Sequence, residues 1–180
     1  MKRKITVFVL IILCFLLQTT VFKSIAFASV SPNLMIVVTS AIGFMRGKKE
    51  GMLVGFFSGL LMDIFFGSAL GLYAMIYMYI GYLNGFFRKL FFPEDIKLPI
   101  LLISGSDLLV NIVIYILLFF FRSRFHFGYY LLNIMMPEVV YTILVSIVLY
   151  FIILRINQKL EAIEKRSAVK FGGKNKELFS

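Results

Sequence analysis

Six apolar segments of membrane-spanning length divide this chain, and they limit most strongly what it can fold into. A helix needs about 17–25 mostly apolar residues to cross a bilayer, and each segment meets or nearly meets that length. A soluble domain of this size could not bury a composition that is 61% hydrophobic, because soluble chains hold about 45–50% apolar residues. The sequence therefore predicts an all-α polytopic membrane protein with about six transmembrane helices. The segments cover residues 5–22, 32–45, 52–66, 70–87, 98–121 and 134–154.

The Lys and Arg residues indicate how these segments thread the membrane. With the N-terminus inside, alternate threading puts sixteen of the nineteen cations on the inner side. Only Lys23, Arg122 and Arg124 then lie outside. Because cytoplasmic loops are enriched in cations, this distribution predicts that both termini are cytoplasmic. Topology therefore accounts for the net charge of +10, and nucleic-acid binding is not expected.

The end of the chain differs in composition from the rest. Residues 1–156 hold all six apolar segments, whereas residues 157–180 are polar and basic. We expect a six-span transmembrane domain over 1–156 and a cytoplasmic tail over 157–180, with the sixth helix extending through about Arg166. The basic ends are expected to attract anionic inner-leaflet lipids, at about 1 kcal/mol per cation. Contact between the tail and a cytoplasmic partner is the alternative.

The N-terminus admits a second interpretation. Its cations, its apolar run and Ala26-Phe27-Ala28 resemble a signal peptide with a cleavage site. The run over 5–22 has 18 residues, which exceeds the usual length of about 7–15 for a signal peptide's apolar region. We therefore expect an uncleaved first span, whereas cleavage would leave five.

Glycine recurs at every fourth position in and after the third segment, and Asp63 occupies one of these positions. Residues four apart share a helix face, so Asp63 belongs to the close-packing face rather than the lipid face. A charge in hydrocarbon costs at least about 2.5 kcal/mol, which makes Asp63 a candidate functional residue. The predicted face for interhelical packing or partner docking comprises Gly51, Gly55, Gly59, Asp63, Gly67 and Gly71, with Gly81 and Gly85 as a second small-residue pair.

Acidic and amide side chains also lie in or beside the other apolar segments. Asp107 and Asn111 are four residues apart, which predicts a hydrogen bond between the amide and the carboxyl group. Arg122 and Arg124 lie at the predicted outer boundary, within reach of acids there. These residues are expected to form internal ion pairs, or a functional cluster that shapes a docking surface or a small cavity. The predicted polar cluster comprises Asp63, Asp107, Asn111, Glu138, Arg122 and Arg124.

The chain contains no G-x-S-x-G, H-E-x-x-H or Walker motif, the local signatures of common hydrolases, metalloproteases and nucleotide-binding proteins. One Cys, Cys14, and one His, His126, cannot build a metal site by themselves. We therefore expect no catalytic residues, no metal and no cofactor.

A set of short motifs lies in the first half of the chain. They are Leu17-Gln18-Thr19-Thr20, Pro32-Asn33-Leu34, Gly43-Phe44-Met45-Arg46-Gly47, Glu50-Gly51, the stretch GFFSGLLMD over 55–63, Gly67 and Gly71-Leu72. Together these motifs resemble the bacterial rod-shape-determining protein MreD family. Length, six apolar segments and basic ends agree with that family. The resemblance covers nearly the whole chain, although the C-terminal half matches mainly in hydropathy.

The resemblance implies a non-catalytic component of the complex that elongates the lateral cell wall, located in the bacterial inner (plasma) membrane. It implies association with the bitopic protein MreC, the actin-like MreB filament, the RodA glycosyltransferase and its class B penicillin-binding transpeptidase. It also implies a fold similar to the substrate-binding S components of vitamin transporters.

Three functional hypotheses follow. In the first, the chain is a polytopic scaffold that holds partner transmembrane helices on its glycine-rich face. In the second, it binds a small molecule in an outward cavity lined by Asp63, Asp107, Asn111 and Glu138. The third, a lipid-intermediate chaperone or flippase, is the weakest, because the spans lack the Arg or Lys expected for a pyrophosphate-bearing lipid and only Arg122 and Arg124 lie at the outer edge.

Overall fold

The structure is a computed structural model that describes residues 2–22, 24, 31–67, 70–90, 96–122 and 127–177. Every regular element in this part of the chain is helical, and a helix lies over each of the six predicted apolar segments. The helices are α1 (Lys2–Leu17), α2 (Leu34–Arg46), α3 (Lys48–Phe66), α4 (Leu72–Phe86), α5 (Lys97–Arg122), α6 (Phe127–Tyr130) and α7 (Met136–Glu177). A π-helical turn, Gln18–Phe22, follows α1, a 3₁₀ turn, Phe87–Leu90, follows α4, and a second π-helical turn, Leu131–Met135, precedes α7.

Three helical stretches among the described residues are long and apolar enough to cross a membrane. They are Arg3–Phe22, Lys97–Leu117 and Gly128–Glu164. Helix α2 is a shorter apolar helix. The architecture is that of an α-helical membrane protein, and the six-span threading stays a prediction.

Helix α7 continues well beyond the predicted sixth segment. It contains 42 residues, or about 63 Å of helix at 1.5 Å per residue, roughly twice the hydrocarbon thickness of a bilayer. No break occurs at the predicted boundary between 156 and 157, and the helix passes Arg166 to end at Glu177.

Helix α2 is the buried centre of the bundle. Residues from Leu34 to Met45 are all buried, and α1, α3, α4, α5 and α7 all pack against this helix. A helix that is apolar on every side is stable only when it is surrounded. Its first turn is capped from two directions, because Ile36 N donates to Asn33 Oδ1 (3.3 Å) and Met35 N donates to Gln18 Oε1 (3.2 Å).

One residue, Gly47, separates α2 from α3. Its N–H donates to the Gly43 carbonyl at 2.7 Å, which closes α2, and its φ of 98° turns the chain directly into α3. Only glycine adopts this left-handed backbone without steric cost. The two helices are therefore neighbours in the bundle.

Charged side chains connect α1, α2, α3 and α7 at the end that the charge distribution predicts to be cytoplasmic, called the inner end below. Arg3 pairs with Glu50 and, at 2.9 Å, with Glu164. Arg46 donates to Asn157 Oδ1, and its Nη1 lies 3.6 Å from Glu164. Exposed ion pairs individually contribute little stability, but this network joins the first and last helices of the bundle.

Candidate functional site

Helices α3 and α4 contact each other through their backbones. Five glycines line this contact. A Cβ atom added to any of them would lie less than 3.0 Å from the backbone of the facing helix, a separation that real Cβ atoms essentially never show. Small residues at four-residue spacing permit this close approach in membranes. In α3, Gly51 faces Gly81, Gly55 faces Tyr77 and Gly59 faces Tyr73 and Ala74; in α4, Gly81 faces Gly51 and Gly85 faces Lys48.

The glycine seam, defined as Gly51, Gly55, Gly59, Gly81 and Gly85, therefore lies inside this chain. With α4 in place, a second helix has no room against the α3 side of the seam. Docking of a partner through these glycines stays a prediction, and it would require α4 to move.

Gly67 and Gly71 belong to the turn between α3 and α4 rather than to the seam. The Gly67 N–H donates to the Asp63 carbonyl at 3.1 Å and ends α3. Gly71 has a φ of 98° and precedes α4, and a Cβ added there would meet no atom within 4 Å. Gly71 is thus needed for its backbone conformation and not for close packing.

The Asp63 carboxyl group caps the N-terminus of α4. Its oxygens accept hydrogen bonds from the backbone N–H groups of Gly71 (3.0 Å), Tyr73 (2.9 Å) and Ala74 (2.9 Å). The first turn of a helix has amides without intrahelical acceptors and a positive dipole end, so a buried acid is satisfied there. Asp63 is 2% exposed, and all of its described polar contacts are with backbone of its own chain.

A second polar group surrounds Asp107, where the start of α2 meets α4, α5 and α7. Asp107 has no exposed surface, and it lies beside Asn33 and Thr142. Neither of its carboxyl oxygens has a hydrogen bond of normal geometry. Asn33 N donates to the Thr142 hydroxyl oxygen (3.1 Å), and the Tyr77 hydroxyl donates to Asn33 Oδ1 (3.1 Å). Thr142 and Asn33 act as acceptors in these bonds, so the Thr142 O–H and the Asn33 side-chain amide keep hydrogens for the Asp107 carboxyl group.

Asn111 contacts the backbone rather than the carboxyl group of Asp107. Its amide donates to the Asp107 carbonyl at 3.1 Å, so the predicted bond between the two side chains is wrong. Short polar side chains in helices commonly bond to a carbonyl in the preceding turn. The partly buried Glu138 lies beside Asn111 and near Asp107.

Three of the predicted cluster residues therefore come together, namely Asp107, Asn111 and Glu138. Tyr73 lies close to both Glu138 and Asp63, whereas Asp63 itself is bonded to the backbone at the start of α4. Arg124 and the side chain of Arg122 lie outside the described residues.

Asn84 joins three helices at mid-bundle. Its amide nitrogen lies within hydrogen-bond distance of the Ser40 hydroxyl on α2 (3.3 Å), the Ser106 hydroxyl on α5 (2.8 Å) and the Ile80 carbonyl (2.9 Å), and its two hydrogens are shared among these three acceptors. Sequence reasoning assigned no role to Asn84, nor to Asn33 and Thr142 beside Asp107. The available signal was a polar side chain within an apolar segment, which finds its partner either on another helix or on a carbonyl in the preceding turn of its own helix.

No group of three or more His, Cys, Asp and Glu side chains within the described ranges is arranged to hold a metal ion. The free Cys14 is fully buried, and it packs in the apolar core.

An all-helical bundle with exposed apolar faces and internal polar contacts defines an α-helical membrane protein. A family model described as rod shape-determining protein MreD matches residues 1–160. The chain therefore belongs to the MreD family, whose members are bacterial membrane proteins that determine cell shape and are not known as enzymes. No curated protein and no solved structure matches the chain, so the likeness to transporter S components stays a prediction.

Proposed function

We propose that this chain is a non-catalytic, multi-pass scaffold of the inner membrane that holds partners of the cell-wall elongation complex together. The family match over residues 1–160 carries this proposal. The proposed partners are an MreC-like bitopic protein, the actin-like MreB filament, the RodA glycosyltransferase and its class B penicillin-binding transpeptidase.

The internal position of the glycine seam favours a different docking face for the bitopic partner. Helices α1 and α3 border an open groove of about 450 Å³. Its walls are almost entirely apolar, and Phe8 and Phe57 meet edge to face with centroids 6.5 Å apart. At the inner end the groove closes on Arg3, Lys4 and Glu50.

We assign this groove to the single transmembrane helix of the MreC-like partner. Side-chain packing drives helix association in lipid, and an unfilled groove between two helices provides that contact area. The charged inner end would align with the interfacial residues that flank a transmembrane helix. Lipid acyl chains are the competing occupant, and the experiment below separates the two.

Cysteine crosslinking in membranes tests this docking face. On a Cys14→Ala background, Leu53→Cys places a thiol in the groove at a position that is 56% exposed. We expect it to crosslink to a cysteine scanned along the partner's transmembrane helix, with a periodicity of about 3.6 residues.

Leu101→Cys is the matched control, because Leu101 is 68% exposed and lies on α5, which packs on α2 and α7. We expect crosslinking at Leu53 to exceed that at Leu101 by at least about fivefold, which corresponds to roughly 1 kcal/mol of preference. Equal crosslinking yields at the two positions, or crosslinks only at Leu101, would show that the partner helix does not bind in the α1–α3 groove.

The surroundings of Asp107 support a second candidate function, binding of a small polar molecule. A fully buried carboxyl group whose neighbouring donors, Thr142 and Asn33, are poorly aligned with it is costly, and a ligand that donates to it with normal geometry would lower that cost. Asn111 and Glu138 would complete the site, whereas the Asp63 oxygens already accept three backbone amides.

Native mass spectrometry of the purified chain tests this candidate. We expect a retained small adduct that disappears in Asp107→Asn and persists in Asn133→Ala, a control at an exposed polar position. The absence of any adduct from freshly extracted protein would count against ligand binding.

A further inference from the structure

A basic cavity opens at the inner end of α3 and α4. It has a volume of about 910 Å³ and lies between residues 46–50 on one side and the end of α4 with its 3₁₀ turn on the other. Five of its lining residues are Lys or Arg, and one, Glu50, is acidic. We define the basic cavity by Lys48, Lys49, Arg88 and Lys89, the lining cations that form no ion pair with another described side chain.

The charge in the basic cavity is not neutralised within the described part of the chain. Glu50 pairs with Arg3, and Arg46 is directed to acids on α7. None of the four cavity cations has a carboxylate partner among the described side chains. The Lys48 ammonium instead lies over the Phe86 ring, 3.2 Å from its centroid.

The geometry concentrates this charge at one place. Arg88 extends across Gly47, because a Cβ added to Gly47 would lie 2.9 Å from the Arg88 Cδ. Gly47 is the N-cap residue of α3, and this helix has no side-chain cap. The first intrahelical bond of α3 runs from Gly51 N to Gly47 O (3.0 Å), so the amides before Gly51 lack an intrahelical acceptor. Cations and the positive end of a helix dipole therefore face the same space.

Exposed apolar side chains lie beside the basic cavity, at the end of α4 and in the 3₁₀ turn that follows it. Phe86, Phe87 and Leu90 are 50%, 41% and 50% exposed, respectively. A ligand that joins an anionic group to hydrocarbon would match both surfaces. The cations alone would suit a soluble anion. The exposed Phe86, Phe87 and Leu90 side chains add apolar contact area that a lipid acyl chain can cover.

We propose that the basic cavity binds the phosphate headgroup of an anionic phospholipid of the inner leaflet. The phosphate contacts Arg88, Lys89 and the N-terminus of α3, and the first part of the acyl chain lies along Phe87 and Leu90. The site holds one lipid against the α3–α4 pair, which differs from general attraction of the membrane surface to scattered cations. It is independent of which protein partners the scaffold holds.

Headgroup-selective fluorescence quenching tests the site. The chain has no Trp, so Phe87→Trp introduces a single reporter beside the basic cavity. The full chain is placed in phosphatidylcholine bilayers that contain a minor fraction of brominated lipid, either phosphatidylglycerol or phosphatidylcholine. We expect phosphatidylglycerol to be preferred at the reporter by at least about fivefold, the effect expected of one cation near a membrane surface.

Charge removal separates the cavity from general surface charge. In the double variant Arg88→Gln/Lys89→Gln we expect the preference for phosphatidylglycerol to disappear, so that both brominated lipids quench the reporter about equally. Arg155→Gln/Lys159→Gln is the matched control, because it removes two exposed cations from the inner end of α7, and we expect the preference to be retained. Arg88→Lys keeps the charge and is expected to keep most of the preference.

Three outcomes would overturn the proposal. Equal loss of preference in the α7 control would show only general surface charge. Displacement of brominated phosphatidylglycerol by millimolar inorganic phosphate would indicate a soluble anion instead of a lipid. Equal quenching by phosphatidylglycerol and phosphatidylcholine in the Phe87→Trp reporter protein would show that the cavity does not select an anionic lipid. Another class of ligand, such as an acidic segment of a partner protein, would then be the candidate.

Discussion

At the scale of single residues, two buried aspartates occupy opposite environments. Asp63 has three backbone donors, whereas neither oxygen of Asp107 has a hydrogen bond of normal geometry. A satisfied acid at a helix N-terminus stabilises the fold, and an unsatisfied one is costly unless something else supplies a donor. Asp63, the residue that stood out most in the sequence, thus has a structural explanation, and Asp107 is the stronger candidate for a ligand.

Substitution of Asp63 tests its capping role. We expect Asp63→Ala to lower the free energy of unfolding by about 1–3 kcal/mol, because three amides lose their acceptor. Asp63→Asn keeps one acceptor oxygen and should cost less. The measurement is the thermal midpoint of the detergent-solubilised protein, followed by size-exclusion chromatography after heating. Loss of partner binding in Asp63→Asn with an unchanged midpoint would contradict a purely structural role.

At the scale of helices, α3 and α4 act as one unit because their backbones touch along the glycine seam. The turn between them is fixed at both ends, by Gly67 closing α3 and by Asp63 capping α4. Helix α2 then packs against both. The two backbones can touch only because the glycines have no side chain. We therefore expect even the single methyl group of alanine to destabilise the seam.

A pair of glycine substitutions tests the seam. We expect Gly55→Ala to destabilise the protein by about 1–3 kcal/mol, because its Cβ would overlap the Tyr77 backbone. Gly105→Ala on α5 is the matched control, since a Cβ there meets nothing within 4 Å, and alanine raises helix propensity by up to about 1 kcal/mol. We expect the thermal midpoints of the two variants to move in opposite directions. Equal midpoints would show that the α3–α4 contact is looser than described.

At the scale of the whole molecule, the bundle is organised around α2 and closed at its inner end by charged side chains. Arg3 near the N-terminus and Glu164 far along α7 form an ion pair across 161 positions of sequence. The same end carries the basic cavity, and the long α7 projects beyond it. The α1–α3 groove, the basic cavity and the α7 extension are distinct surfaces of this body, and the proposed scaffold role would need several such surfaces.

Much of the helical layout was predictable, because apolar segment length and four-residue glycine spacing depend on local geometry. The structure has a helix over each predicted segment, and residue motifs led to the family that the match over 1–160 supports. The extent of α7 was underestimated, since a polar, basic composition does not by itself end a helix. The bond expected between Asp107 and Asn111 side chains was wrong, because spacing does not distinguish a carboxyl group from a nearby carbonyl.

The local pattern of small, apolar and charged residues was sufficient to indicate membrane helices, the close-packing face of α3 and the family. The tertiary structure decides what the glycine face of α3 packs against. Helix α4 returns along α3 and covers these glycines, so they pack within the chain. The roles of Asp63 and Asp107 differ for the same reason. Whether a carboxyl group receives well-aligned donors depends on which distant backbone or side chain the fold brings to it, and spacing along one helix carries no information about that.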